Sequence, residues 1–185
     1  MQMQMTLDGF VCGASGEMDW MLYDYDEVLK NYLLDLINST DTILLGRKTG
    51  EGMAVYWPTV ASNPESNDED FFMAEKLSGT PKIVFSKTVS DINWTNVTVC
   101  SNIIEEVKEL KRQAGNDILI YGGASIAASF IKENLVDEYH LFVNPVAIGK
   151  GKPIFNELDD MLKLKLVKAT TSSVGITVLF YEPEK

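Results

Sequence analysis

Three apolar runs of strand length in this chain stop at small, hydroxylated or basic residues directly before a segment that reads as a helix. They are Thr42-Ile43-Leu44-Leu45 before Gly46-Arg47-Lys48-Thr49, Lys82-Ile83-Val84-Phe85 before Ser86-Lys87-Thr88, and Ile118-Leu119-Ile120-Tyr121 before Gly122-Gly123-Ala124-Ser125. Strands that alternate with helices in this way predict an α/β fold built on a mostly parallel central sheet flanked by helices. Each junction sets backbone N–H groups, and often a cation or hydroxyl, at the carboxyl edge of that sheet. Open α/β sheets bind ligands there, and helix N-termini at that edge suit phosphates. Each junction also has a plainer reading as an ordinary solvated helix start. The paired glycines are the most specific of the three, since two glycines between a strand and a helix are costly unless something must approach the backbone closely.

The rest of the chain supplies the remaining elements. Val28, Leu29, Tyr32, Leu33, Leu36 and Ile37 have the spacing of an amphipathic helix over 26–38. A strand is expected near the start, from Met3 towards Val11, and others at 41–46, 81–86, 97–100 and 117–121. Gly50 and Gly52 predict only a short, interrupted helix after the first junction, and 59–70 reads as a mobile surface loop before a short helix at 71–77. Asn102 with Glu105 resembles a capping box for a helix that Gly115 ends. A helix over about 124–134 follows the glycine pair. The tail reads as strands at 138–146, 164–171 and 176–181, the last two joined by Thr171-Ser172-Ser173-Val174-Gly175 as an antiparallel edge hairpin.

At 185 residues the chain is most simply a single domain, 1–185, large enough for a full core. No segment approaches the roughly 20 apolar residues of a membrane span, so a cytoplasmic protein with no membrane partner is expected. Its net charge of −11, from 16 Lys+Arg against 27 Asp+Glu, would repel nucleic acid. A phosphate site must therefore be a local basic exception. Cys12 and Cys100 lack metal-site spacing, and no metal is expected. Neither Gly-x-Gly-x-x-Gly nor the Gly-x-x-x-x-Gly-Lys-Ser/Thr loop occurs, which excludes a standard Rossmann dehydrogenase and a P-loop NTPase. A zinc deaminase is excluded too, because His-x-Glu and Pro-Cys-x-x-Cys are missing.

The order of motifs carries a resemblance that covers nearly the whole chain. Thr6-Leu7-Asp8-Gly9-Phe10-Val11, Gly16-Glu17-Met18-Asp19-Trp20, Asp41 to Thr49, Tyr56-Trp57-Pro58, Ile83 to Lys87, Ile118 to Gly123, Asp137 to Leu141 and Asn144 to Phe155 stand as in the dihydrofolate reductase-like superfamily. Within it the chain most resembles the C-terminal reductase domain of the bifunctional riboflavin-biosynthesis deaminase-reductase. The resemblance implies NADPH-dependent hydride transfer to a small heterocyclic substrate, pterin-like or a ribosylamino-pyrimidine, and a homodimer. It implies that Gly46, Arg47, Lys48 and Thr49 bind the cofactor, with Arg47 or Lys48 at the 2′-phosphate. Ser86, Lys87 and Thr88 would hold the adenosine side. Gly122, Gly123, Ala124, Ser125 and Ile126 would lie against the pyrophosphate, and Trp20 near the nicotinamide. Hydride transfer asks the protein mainly to orient two rings and exclude water.

The substrate half departs from the pattern. No acid in the 28–37 helix stands where dihydrofolate reductases carry their substrate carboxylate, Tyr121 occupies the place of a family glutamate, and Gly50 that of an aromatic. Candidate catalytic residues are Asp8, read as a substrate-facing carboxylate or a turn aspartate, and Tyr121, read as a phenol orienting a substrate carbonyl or as packing. The acids Asp19, Asp24 and Asp26 suit a helix start. His140, in a strand, reads as structural. The rival functions are true dihydrofolate reduction and a nucleotide-binding module that has lost catalysis.

Overall fold

The computed structural model describes residues 1–184. In chain order the elements are β1 (Gln2–Thr6), α1 (Glu27–Asn38), β2 (Thr40–Gly46), α2 (Arg47–Ser62), α3 (Asp68–Gly79), β3 (Lys82–Phe85), β4 (Val97–Cys100), α4 (Ile103–Leu110), β5 (Asp117–Ile120), α5 (Ala124–Lys132), β6 (Tyr139–Asn144), β7 (Leu164–Thr171) and β8 (Thr177–Pro183). This is the α/β architecture the sequence predicts, with parallel strands, flanking helices and an antiparallel C-terminal hairpin. The strands divide between two four-stranded sheets, ordered β1-β6-β8-β7 and β4-β3-β2-β5. The hairpin joins the first because β8 pairs antiparallel with β6, whose other edge pairs parallel with β1.

The chain forms two compact units, Met1–Leu36 with Ala124–Lys185, and Ile37–Gly123. In the first, Leu29 and Leu33 of α1 pack with Phe142, Ile176 and Val178. β1 is buried along its whole length although Gln2, Gln4 and Thr6 alternate with Met3 and Met5. A buried polar strand face must find hydrogen bonds inside the protein. Gln4 finds them on Tyr25 and Asn144. His140, buried on β6, meets the Tyr32 hydroxyl at 2.7 Å and a Glu138 carboxylate oxygen at 3.1 Å while its ring stacks on Phe180, a structural setting.

In the second unit all pairings are parallel, with β2 between β3 and β5. Its core gathers Ile37, Ile43, Leu45, Leu77, Val84, Ile92, Trp94 and Leu119. Lys82 sits in this unit almost fully buried, its Nζ donating to the carbonyls of Leu77 (2.6 Å), Thr80 (2.7 Å) and Ser78 (3.1 Å), 4.3 Å from the Trp94 ring centroid. These are the carbonyls that the end of α3 leaves without intrahelical partners, so the lysine closes the helix. Burial pushes its amine down to about 8, and the three acceptors, which favour the ammonium, work against that shift.

Several sequence expectations are corrected. α2 is one continuous helix through Gly50, Gly52 and Pro58, because Gly50 lies against Val84 where a Cβ would come within 2.8 Å of Cγ2. The expected loop at 59–70 shrinks to residues 63–67, since Asn67 caps α3 by accepting from Asp70 N–H at 2.8 Å. No helix follows β3. Ser86 Oγ instead accepts from the N–H groups of Thr88 and Val89, both at 3.1 Å, and closes a turn. Asn102 precedes α4 without a side-chain cap, and α4 ends at Leu110, well before Gly115. Gly115 serves a close approach: a Cβ there would meet Asp41 Oδ2, which accepts from Asn116 N–H at 2.7 Å.

Candidate functional site

The register of the second unit brings the three junctions to one edge. Gly46, the last residue of β2, lies opposite Phe85, so Ser86 leaves the sheet beside it. On the other side Leu44 pairs with Ile120, Tyr121 N–H donates to Leu44 O at 3.1 Å, and Gly46 N–H donates to Gly122 O at 3.2 Å. The carboxyl ends of β3, β2 and β5 thus stand side by side.

Gly46 is also the residue that precedes α2, with extended backbone and no side-chain cap. The first N–H groups of a 16-residue helix are therefore left to whatever lies before them. Thr49, in the first turn, faces Gly122. The glycine has φ of +126°, and a Cβ on it would come within 3.0 Å of Thr49 Cγ2. Gly123 follows with φ of +102°. Two consecutive left-handed residues turn the backbone away from the sheet and expose peptide groups, and only glycine adopts this readily.

The cations of the edge are not equivalent. Arg47 is tied to the next turn of its own helix, one guanidinium nitrogen reaching both Glu51 carboxylate oxygens at 3.0 and 2.9 Å. Lys48 is exposed and makes no ion pair among the described residues. Lys87, exposed on the Ser86 turn, is also unpaired among them. In a chain of net charge −11, these two lysines are unpaired cations at this edge. Ser86 Oγ spends its lone pairs on the turn and also meets Thr88 Oγ1 at 3.3 Å, so both hydroxyls shape the display of Lys87.

Tyr121 packs its half-buried ring against the core, and burial pushes its phenol up to about 12. It is a neutral hydrogen-bond donor at any ordinary pH. α5 begins at Ala124, directly after the glycines, with Ser125 exposed and Ile126 buried. Ile126 can offer a ligand only its backbone.

Asp8 and Trp20, like Ala124, Ser125 and Ile126, belong to the first unit. The Asp8 carboxylate accepts from Gly149 N–H at 2.7 Å and Ile148 N–H at 3.1 Å. The Thr6 hydroxyl and these amides hold it below the ordinary carboxylate range. It is an anion that staples the 148–149 turn, not Gly9. Trp20 has its indole Nε1 buried with no hydrogen-bond partner among the described residues. A buried N–H donor is rarely left alone, and this one suits a ligand acceptor. Asp26 accepts from Leu29 N–H (3.1 Å), capping α1, and from Ser173 N–H (2.6 Å), which with the Leu29 bond keeps its carboxyl low.

Sequence reasoning passed over Gln4, Asn144 and Lys82. Asn144 is fully buried, with Oδ1 accepting from Leu22 N–H at 3.2 Å and Nδ2 donating to Gln4 Oε1 at 2.9 Å. The alternation of glutamines with methionines in β1 was the available signal, because it reads as a solvated face unless partners from distant residues are known.

An α/β edge of this kind, with a glycine pair beside an uncapped helix, occurs here on a dihydrofolate reductase-like fold. The chain superposes on a dihydrofolate reductase from Enterococcus faecalis complexed with NADP(H) and RAB-propyl with a TM-score of 0.63, at 19% identity, covering 99% of this chain and 94% of that one. The chain belongs to the RibD C-terminal domain family, whose model matches residues 1–178. Uncharacterized protein YyaP of Bacillus subtilis (strain 168) is 37% identical over 181 residues, 98% of this chain and 92% of that protein. A diaminohydroxyphosphoribosylaminopyrimidine deaminase/5-amino-6-(5-phosphoribosylamino)uracil reductase from Thermotoga maritima superposes with a TM-score of 0.66 at 17% identity, covering 99% of this chain and 55% of that chain. The two structural likenesses establish the fold. Among the described residues no helix is long and apolar enough to cross a membrane.

Proposed function

We propose that this protein is an NADPH-dependent reductase that transfers a hydride to a heterocyclic substrate, pterin-like or a ribosylamino-pyrimidine. The observation that carries the reading is the β2–α2 junction: an uncapped helix start, an unpaired Lys48, and Thr49 set against left-handed Gly122. An anionic, ribose-bearing ligand is what such an edge suits, through peptide N–H groups and one mobile cation.

The residues present fit NADPH. Gly122-Gly123 and the first turn of α2 would receive the pyrophosphate, and a side chain at Gly122 would close that space. Lys48 is the better partner for the 2′-phosphate, since Arg47 is neutralised by Glu51. Lys87 would stand at the adenosine end. In the first unit, the Trp20 N–H is by itself suited to a ligand acceptor. When bound, the cofactor supplies the hydride; the chain supplies orientation and exclusion of water. Tyr121, protonated throughout the physiological range, is suited to donate a hydrogen bond to a substrate oxygen. Asp8, held as an anion by its turn, is assigned to loop structure instead of proton donation.

The test is oxidation of NADPH, followed by loss of absorbance, across a panel of dihydropterins and ribosylamino-pyrimidines. Turnover on one class supports the reading and names the substrate. Binding of NADPH without turnover on any would instead favour a nucleotide-binding module, and efficient use of dihydrofolate a true dihydrofolate reductase.

A further inference from the structure

Between β1 and α1 the chain runs without a helix from Asp8 to Asp26, and Trp20 lies in that stretch. Its neighbours Met18, Leu22 and Tyr23 are exposed, while Tyr25 packs against the Leu29–Phe142 core and anchors the far end of the segment. Between that anchor and the sheet, polar contacts to the backbone and side chains of the segment help to set the position of the indole.

Those contacts form a relay that starts in the sheet. Gln4 of β1 and Asn144 of β6 are 9% and 0% exposed. Asn144 Nδ2 donates to Gln4 Oε1 at 2.9 Å and to Phe142 O at 3.2 Å, which fixes the amide. Its Oδ1 then accepts from Leu22 N–H at 3.2 Å, two residues beyond Trp20. Gln4 Nε2 donates to the Tyr25 hydroxyl at 2.9 Å, three residues further on. The segment is thus pinned at both 22 and 25 by two buried carboxamides that also satisfy each other. Buried amides in a strand face are worth their desolvation only when fully paired, and here the pairing partner is the segment itself.

We infer that Gln4, Asn144 and Tyr25 are positioning residues for Trp20, acting through the 20–25 segment to hold its unpaired indole N–H where a ligand meets it. Its consequence for catalysis rests on the reductase reading; its structural content does not. Loss of Asn144 removes the pin at Leu22 and leaves Gln4 Oε1 without its donor, and loss of Gln4 removes the pin at Tyr25 and one of the bonds that fix the Asn144 amide, so either change loosens the segment. The ring then samples several positions, and a misplacement of about 1 Å can cost on the order of 100-fold in rate.

The experiment uses protein labelled with 5-fluorotryptophan, in which Trp20, Trp57 and Trp94 give separate fluorine resonances assigned by Trp→Phe variants. Asn144→Leu and Gln4→Met should shift or broaden the Trp20 resonance and leave the other two. Gln4→Glu, whose carboxyl can accept from both Asn144 Nδ2 and the Tyr25 hydroxyl, should keep it. In NADPH turnover the first two variants should lose about 10- to 100-fold in kcat with a smaller change in KM, and Gln4→Glu should recover most of it. Should Asn144→Leu fail to fold, Gln4→Met and Tyr25→Phe carry the test. A Trp20 resonance unmoved in these variants overturns the inference even if NADPH turns over. If the wild-type protein does not use NADPH, the reductase reading falls and the resonances alone decide the positioning.

Discussion

Gly122→Ala isolates the feature on which the cofactor edge depends. An alanine there must hold φ near +126°, a region that costs an L-residue on the order of 1–3 kcal/mol. Its Cβ would also stand 3.0 Å from Thr49 Cγ2, so Thr49 must yield by a few tenths of an ångström. Together these come to about 2 kcal/mol, or roughly 4–8 °C in Tm for a chain of this size. Urea unfolding followed by far-UV circular dichroism measures it. Two controls separate the causes. Thr49→Ser in the Gly122→Ala background removes the crowding methyl and should recover only the smaller, steric share. Gly52→Ala, in the interior of α2 with nothing within 4 Å of the new Cβ, should stabilise by about 0.5–1 kcal/mol. A Gly122→Ala protein within about 0.5 kcal/mol of wild type would refute the claim that this turn is built on backbone only glycine adopts.

Three further outcomes follow from the same geometry. Lys48→Ala should weaken NADPH more than NADH in a binding titration, by about tenfold for a charge-assisted contact, whereas Arg47→Ala should change both little because Glu51 already neutralises it. Lys82→Ala should cost about 2–4 kcal/mol in chemical unfolding, since three carbonyls at the end of α3, that of Leu77 buried, lose a charged donor and a cavity opens beside Trp94. Asp26→Asn tests the acid limb of stability. The carboxyl is held below its ordinary 3.8 by Ser173 and Leu29 N–H groups, so its contribution is complete above that value and is lost as pH falls through the lower folded one. The difference between wild type and Asp26→Asn should therefore be constant near neutrality and disappear in strong acid.

The sequence was most legible where one local signal sufficed. The α1 spacing, the β7 limits, the end of β2 at Gly46 and the turn at Gly122-Gly123 after β5 were all readable, because periodicity and a glycine after a β-rich run are local facts. It was least legible where a distant partner overrides propensity. Gly50 reads as a helix breaker until Val84 is found against it, and Ser86 as a helix start until its hydroxyl closes a turn. Of the candidate site, the edge formed by Gly46, Thr49 and Gly122 was visible in advance. The pairing of Arg47 with Glu51, one turn along, was legible from i,i+4 spacing alone once residues 47–51 form one helix, which the glycines at 50 and 52 argue against. The Gln4–Asn144 pair joins residues 140 apart in the chain, and no local pattern carries it.

Calorimetric titration of the wild-type protein with NADPH at low ionic strength is the most direct trial of the reductase reading. A single site with a dissociation constant of micromolar order, tighter for NADPH than for NADH and weakened by Lys48→Ala, is the expected result. No heat of binding at millimolar NADPH from folded protein would contradict it.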